Sequence, residues 1–287
     1  MSPLSAHQRN SRVRATERHG LVQGNQSVSL PARAVFGEDD DDAISFQGNL
    51  TVYTDSADVY DASYSSFDFA AGANRLHDLI TRHKRTTGST LLDVACGTGT
   101  YLTHLGDRYT VEGVDLSPAM LAIAKRKLPN VPPHEADMVE FNLGRRFDAV
   151  VCLGSSIGYT KRGPRLRRAI ATLARHALSG GVVVVEPWIW PDAWENGRLT
   201  TDLVDQPDLK VARMLVSGRI GRVSMSDIHH LVARLGGVEY FVEHHELGLF
   251  THTEYLADFK GADLEVTYES QGLLGLPGRG AYIGVRR

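Results

Sequence analysis

Residues Leu91–Leu102 read LLDVACGTGTYL: an apolar run, an acid near its end, a turn holding two glycines, then the start of a helical pattern. A glycine-rich turn between a strand and a helix lets a ligand approach the backbone closely. A nucleoside triphosphate would require G-x-x-x-x-G-K-[ST], and no Lys follows these glycines. A dinucleotide would require G-x-G-x-x-G; Gly97 and Gly99 fit, but Leu102 stands where the third glycine belongs. Asp93 separates the ligand classes further. A carboxylate at the strand's end repels a pyrophosphate and suits a cation, or the hydroxyl and ammonium groups of an amino-acid moiety. Taken alone, it is equally a turn or capping carboxylate.

The next segments extend the pattern. Thr110–Leu121, TVEGVDLSPAML, reads as a second strand ending in Asp115, an N-cap at Ser117, Pro118 at the first helical position, and a helix. An acid at the tip of a second strand is the usual partner of ribose hydroxyls in a Rossmann-like sheet. Glu135–Phe141, EADMVEF, sets Asp137 and Met138 after a short third strand, an acid for an adenine amine and an apolar cover for its ring. Arg146–Tyr159, RFDAVVCLGSSIGY, reads as a buried fourth strand opening into a loop. This series resembles the class I S-adenosylmethionine-dependent methyltransferases, whose cofactor has a sulfonium, an ammonium and no phosphate. The resemblance implies a cofactor site made of Tyr60, Asp93, Ala95, Gly97, Gly99, Asp115, Leu116, Met120, Asp137, Met138 and Leu153.

The chain has 287 residues, 42% of them hydrophobic, and a net charge of −3. That supports one large α/β domain with an elaboration, or two small domains, and gives no electrostatic reason to expect a nucleic-acid partner. The two cysteines, Cys96 and Cys152, fall in or beside core strands and suggest a reducing, cytoplasmic setting. No apolar run approaches the ~20 residues that span a bilayer, and the first residues lack the apolar core of a signal peptide. Residues 1–50 are polar, with a basic stretch at His7–Gly20 and an acidic block at Gly37–Asp42, and are expected to form a mobile leader, with β-like runs that allow a docked hairpin. Tyr53, Tyr60 and Tyr64 precede a helix expected over roughly Phe69–Lys84.

Strand-like and helical segments alternate up to Val182–Trp188, VVVVEPW, which implies a doubly wound, mostly parallel sheet with its ligand at the carboxyl ends of the strands. Beyond Glu186 the pattern becomes strand-length runs broken by Ser-Gly and Gly-Gly, an antiparallel β-rich insertion. A helix capped at Thr251 or Thr253 and two closing strands follow. The expected organisation is α/β, Rossmann-like: a leader over 1–50, a methyltransferase domain over 51–190 and 251–287, and a substrate-binding insertion over 191–250.

CLGSSIGY, VVVVEPWIWP, HHLVA, EHHELGLF and PGRGAY resemble one subfamily, the N,N-dimethyltransferases of TDP-linked amino deoxysugars of the desosamine type. That resemblance runs from about Tyr53 to the C-terminus. It implies a small-molecule primary amine as acceptor, dimethylation, a role in natural-product biosynthesis and a homodimer. Dimethylation of a terminal amine on a peptide natural product, or another small-molecule N- or O-methylation, fits the same chemistry. Tyr159 stands where the subfamily commonly has His, Ile189 where it often has a second Trp, and the leader is long. Tyr53 and Tyr159 are the expected amine-orienting residues and Glu186 the expected proton or ammonium partner. Ser155, Ser156, Trp188, Trp190, His229 and Arg279 are the expected acceptor contacts, Arg279 for a phosphate. A phenol is a poor base at neutral pH, with an ordinary pKa of ~10, so positioning carries the chemistry. Adjacent strand residues face opposite ways, so His229-His230 and His244-His245 offer at most two ligands to one face, too few for zinc, and no metal is expected. A dehydrogenase or a silent binding protein are the rival classes; the absent third glycine, Asp93 and Met138 speak against the first, the intact turn and Asp115 against the second.

Overall fold

The computed structural model describes residues 53–274 and 279–287; the expected leader lies outside the described residues. Apolar strands written as unbroken runs need cover on both faces, and the central sheet has it. Its strands are β1 (Thr90–Val94), β2 (Thr110–Asp115), β3 (Pro133–Glu135), β4 (Phe147–Cys152), β5 (Ala177–Val185), β10 (Leu264–Glu269) and β11 (Ala281–Arg286). They lie in the order β10-β11-β5-β4-β1-β2-β3. β1 pairs in parallel with β2 and β4, and β4 with β5, while β11 runs antiparallel to both β5 and β10. Neighbouring residues divide between the faces: Leu92, Val150 and Val183 pack on one side, Leu91, Val151 and Val184 on the other.

Helices supply the cover. α2 (Phe69–His83) buries Ala73, Leu76, Leu79 and Ile80 at helical spacing, beside Tyr101, Leu102 and Leu105 of α3 (Thr100–Leu105). α5 (Gly163–His176) buries Leu166, Ala169, Ile170 and Leu173 on the opposite face, with Tyr255 and Phe259 of α6 (His252–Gly261). Each fully buried aliphatic side chain contributes roughly 1.5–3 kcal/mol. The starts are chemically marked. Asp68 accepts from the Ala71 amide, and Ser117 caps α4 (Pro118–Lys127) through the Met120 amide, with Pro118 leading. Thr251 and Glu254 form a reciprocal capping box on α6, which decides for Thr251 over Thr253.

Between β5 and α6 stands a four-stranded antiparallel sheet, β6 (Leu199–Gln206), β7 (Leu209–Ile220), β8 (Val223–Arg234) and β9 (Gly237–Gly248), a simple meander. It falls inside the expected insertion. Ser217-Gly218, expected to break a strand, instead lies within β7, paired in unbroken register with Ser226 and Met225; the chain reverses at Gly221, where φ is +55°. The short helix α1 (Ala57–Ser63) is held between the meander and α4. Val59 packs on Val211 and Val232 of the meander, and Ala57 packs on Met120 of α4. No helix among the described residues is long and apolar enough to cross a membrane.

Candidate active site

β1 and β2 lead to one side of the sheet and β4 to the other, so the crevice opens above the carboxyl ends of β1, β2 and β4, where open α/β sheets bind ligands. A cleft lies there. Its lining includes Tyr60, Ala95, Gly97, Asp115, Leu116 and Met120, with Asp137 and Met138 beyond β3.

The turn after β1 is built by positive φ angles at Ala95 (+64°), Gly97 (+56°) and Gly99 (+76°). At Ala95 this conformation strains a side-chain-bearing residue by roughly 1–2 kcal/mol, as do the positive φ angles of Tyr53 and Ser155; backbone strain of this kind gathers at functional sites. The turn aims amides at Asp115, whose Oδ2 accepts from Gly97 N at 2.8 Å and whose Oδ1 accepts from Ser117 N at 2.8 Å. Burial pushes the Asp115 pKa up and these amides pull against it. Each oxygen keeps a lone pair for a diol. Asp137 is fixed likewise, accepting from Val139 N at 2.9 Å and from Arg165 Nη2 at 2.8 Å.

Beneath the turn Asp93 is buried at 2% exposure, and its Oδ1 has no hydrogen-bond partner. Burial, and then the neighbouring Asp115, push its pKa well above the usual carboxylate range. An orphaned carboxylate beside a second one is a place for positive charge. With a diol-binding acid and an apolar cover further along, this donor set fits S-adenosylmethionine.

The other end of the cleft holds Tyr53, Ser156 and Tyr159. Tyr53 Oη lies 2.8 Å from Tyr159 Oη, which lies 2.7 Å from His245 Nδ1. Behind His245 sits Glu243, with the Nε2 atoms of His245 and His230 each 3.5 Å from its Oε2, an ionic rather than a tight hydrogen-bonding distance. Glu243 Oε1 accepts from Tyr53 N and Ser56 Oγ, both at 2.9 Å. Burial opposes ionisation of Glu243, yet the imidazoles of His230 and His245 and the Ser56 hydroxyl outweigh it and hold the carboxyl down at about 2. Burial drives both phenols well above their ordinary range, so both stay protonated.

α1 roofs this arrangement. Asp61 accepts from Thr98 Oγ1 at 2.6 Å and Thr100 Oγ1 at 3.1 Å and is ion-paired with Lys127, which staples α1 to the glycine turn. The 3₁₀ turn carrying Tyr159 (Ser156–Thr160) comes close to β9 because residue 158 is glycine; a Cβ there would sit 2.9 Å from Leu247 Cδ2 and 3.1 Å from Trp188 Cβ.

Several expected contacts are placed elsewhere. Glu186 does not line the cleft: its oxygens accept from the amides of Gly154 (2.9 Å) and Leu273 (3.1 Å), so it pins two loops. Leu153 packs in the core, Gly99 packs on Ala124 and Leu128, and Ser155 donates to Pro187 O, none of them facing the cleft. Trp190 sits among His252, Tyr255, Tyr268 and Tyr282, an aromatic core cluster. Trp188 donates to Ser224 Oγ and lies under the Arg279 guanidinium at 4.7 Å. Burial lowers the Arg279 pKa, and Glu186 works against that. His229 is on the exposed outer face of β8, stacked on Tyr240; its neighbour His230 turns inward. Sequence reasoning missed Arg165, His230, Glu243 and His245. The alternation within EHHE was the signal, and it became readable only with the strand's register. Cys96 and Cys152 are both free and buried. Among the described residues no group of three ligating side chains is arranged around a metal position.

A family model described as a methyltransferase domain matches residues 91–181. The chain is 43% identical over 235 residues, 80% of its own length and 98% of the relative's, to a dTDP-3-amino-3,4,6-trideoxy-alpha-D-glucopyranose N,N-dimethyltransferase of Streptomyces venezuelae. It is 38% identical over 84% of its length, and 97% of the relative's, to a dTDP-4-amino-2,3,4,6-tetradeoxy-D-glucose N,N-dimethyltransferase of Saccharopolyspora spinosa. Among solved structures, S-adenosylmethionine-bound CalS10, an amino pentose methyltransferase from Micromonospora echinaspora involved in calicheamicin biosynthesis, superposes with a TM-score of 0.72 at 37% identity, covering 80% of this chain and 97% of that one. With the cleft built as described, the chain is an S-adenosylmethionine-dependent methyltransferase and belongs to the family of dTDP-amino-sugar N,N-dimethyltransferases.

Proposed function

We propose that this enzyme methylates the primary amine of a dTDP-linked amino deoxysugar twice in succession. The observation that carries the reading is the polar end of the cleft, where two half-buried phenols, Tyr53 and Tyr159, meet 2.8 Å apart next to the cofactor-binding residues. Bound S-adenosylmethionine supplies an electrophilic methyl group on a sulfonium. The protein's part is alignment, which can lower a barrier by roughly 7–11 kcal/mol in the best cases. Tyr53 and Tyr159 hold the amine so that its lone pair points along the attack line. Tyr60, edge-on to Tyr53 at 5.5 Å, closes the cofactor side. Ser156 lines the same end and is within reach of a sugar hydroxyl. Arg279, with a forked donor set over Trp188, is the group for the nucleotide's phosphates. The meander over 191–250 forms the acceptor wall, and support for this comes from Glu243 and His245 on β9 standing behind the phenols.

The outer face of the meander carries exposed Leu203, Met214, Val216, Leu231, Tyr240 and Val242. A contiguous apolar face of this kind fits self-association, and the reading includes a homodimer formed there. Free, buried cysteines fit a reducing cytoplasm.

Mass spectrometry of reactions with S-adenosylmethionine and a panel of amines tests the acceptor. The panel pairs dTDP-3-amino and dTDP-4-amino deoxysugars with short peptides bearing a free terminal amine. A sugar nucleotide heavier by one and then two methyl groups is expected; methylation confined to the peptides would overturn the assignment.

A further inference from the structure

The hydrogen bonds behind the phenols have one direction. The Glu243 carboxyl is ionised at neutral pH, and a carboxylate only accepts. His245 Nε2 faces it at 3.5 Å, an ionic separation and not a hydrogen bond, and the anion's field favours the ring proton on that nitrogen, which leaves Nδ1 as a lone pair. Tyr159 must then donate to Nδ1, and Tyr53, 2.8 Å away, donates to Tyr159. Tyr53 Oη is left with free lone pairs at the cleft. Phenols can pass a proton on but cannot keep an excess one, whereas an imidazole nitrogen with a free lone pair is a base.

We propose that His245, oriented by Glu243, is the terminal proton acceptor of the methylation, reached from the acceptor amine through Tyr53 and Tyr159. The inference rests on the amine-methylation reading above. An ammonium N–H proton moves to Tyr53 Oη as the Tyr53 proton moves to Tyr159 Oη and the Tyr159 proton moves to His245 Nδ1. The nitrogen's freed lone pair then bonds the methyl carbon as the carbon–sulfur bond breaks, its electron pair staying on sulfur. The methylated nitrogen again carries an excess proton, and the second round needs the same path. Between rounds the His245 imidazolium, balanced by Glu243, gives its proton to water as the cleft opens for cofactor exchange. Glu243 is a positioning residue: it fixes the tautomer and carries the counter-charge. The other titratable or charged groups around the small void behind the phenols are Tyr60, Tyr64, His230 and Arg213. Arg213 is committed to Asp202 at 3.0 Å and lies over the Tyr64 ring at 4.8 Å.

The test uses His245→Gln, with wild-type turnover of a dTDP-amino sugar as the control. The expected result is a fall in kcat of about 100-fold, the lower end of general-base effects. KM for the sugar and cofactor affinity by calorimetry should stay unchanged. The variant's kcat should climb steadily with pH, because only amine already neutralised in solution reacts. Unchanged kcat and an unchanged pH profile in the variant, with wild-type turnover intact, would overturn the relay alone. Absence of wild-type turnover on every amine would overturn the acceptor reading and the relay with it. Ring-nitrogen NMR of the wild-type protein gives a readout independent of activity and of variant folding: a His245 tautomer with its proton on Nε2 is expected, and the tautomer with its proton on Nδ1 overturns the direction of the chain.

Discussion

Replacing Glu243 by Gln removes a charge while keeping a carbonyl for Tyr53 N and Ser56 Oγ. The stability change can be worked out from the site. The side chain is 5% exposed, and its carboxyl is held at about 2 against an ordinary 4.5. At 1.36 kcal/mol per pH unit, that depression is worth about 3 kcal/mol at neutral pH. The folded-state pKa is the lower one, so this stability is fully present above pH 4.5 and is lost as pH falls toward 2. By linkage it shrinks to about 2 kcal/mol at pH 3.5. Urea denaturation of the wild type and of Glu243→Gln at neutral pH and down to about pH 3.5 measures the gap directly. A gap near 3 kcal/mol that narrows with acid is expected. A gap that is absent, or is flat with pH, would show that the two imidazoles do not stabilise the anion and would refute the reasoning.

Tyr53→Phe and Tyr159→Phe should each lower kcat by roughly 10–100-fold without abolishing it; complete loss with intact cofactor affinity, measured by calorimetry, would contradict positioning by the pair. Asp115→Asn should weaken S-adenosylmethionine binding by roughly 1.5–3 kcal/mol, because an amide NH₂ would face either the Gly97 or the Ser117 N–H; titration calorimetry checks it, and unchanged affinity would count against Asp115 as the ribose partner. Gly158→Ala should destabilise the fold by about 1–3 kcal/mol, since its Cβ would meet Leu247 Cδ2 at 2.9 Å; an unchanged melting temperature would mean that β9 yields. Val216→Lys on the outer face of the meander tests the proposed self-association: sedimentation velocity should move toward the monomer with cofactor binding intact, and sedimentation identical to the wild type would exclude that face.

The cofactor half of the site was legible because its chemistry is local. Asp93, Gly97, Asp115 and the Ser117-Pro118 helix start lie within one strand–turn–helix rhythm, and caps and strand tips follow from neighbours a few residues away. The acceptor half was not. Tyr53 and Glu243 are 190 residues apart in sequence yet bonded. Glu186 looked like an active-site acid because it ends a strand, but it does not line the cleft, and its oxygens hold the amides of Gly154 and Leu273, contacts that no local pattern announces. His229 was favoured over His230 on the resemblance, and the structure turns His230 inward instead. The outer face of β8 and its neighbours holds Leu231, Met214, Val216, Tyr240 and Val242, while the inner face sets Arg213, Glu243, His230 and His245 among Val211, Val232 and Phe241. Both faces are mixed, so hydropathy along these strands does not tell the inward residues from the outward ones.

The sequence by itself determined the doubly wound frame, the cofactor turn, the acid at the tip of β2 and the helix caps. Each depends on φ preferences, periodicity and hydrogen bonds that close within a few residues. Only the tertiary structure decided which histidine of each pair faces Glu243, which acids line the cleft, and that a phenol in the cleft is backed by an imidazole and a carboxylate. A one-residue slip in strand register would reverse every one of those side chains, and register is fixed by the pairing of β7, β8 and β9 and by their packing on α1.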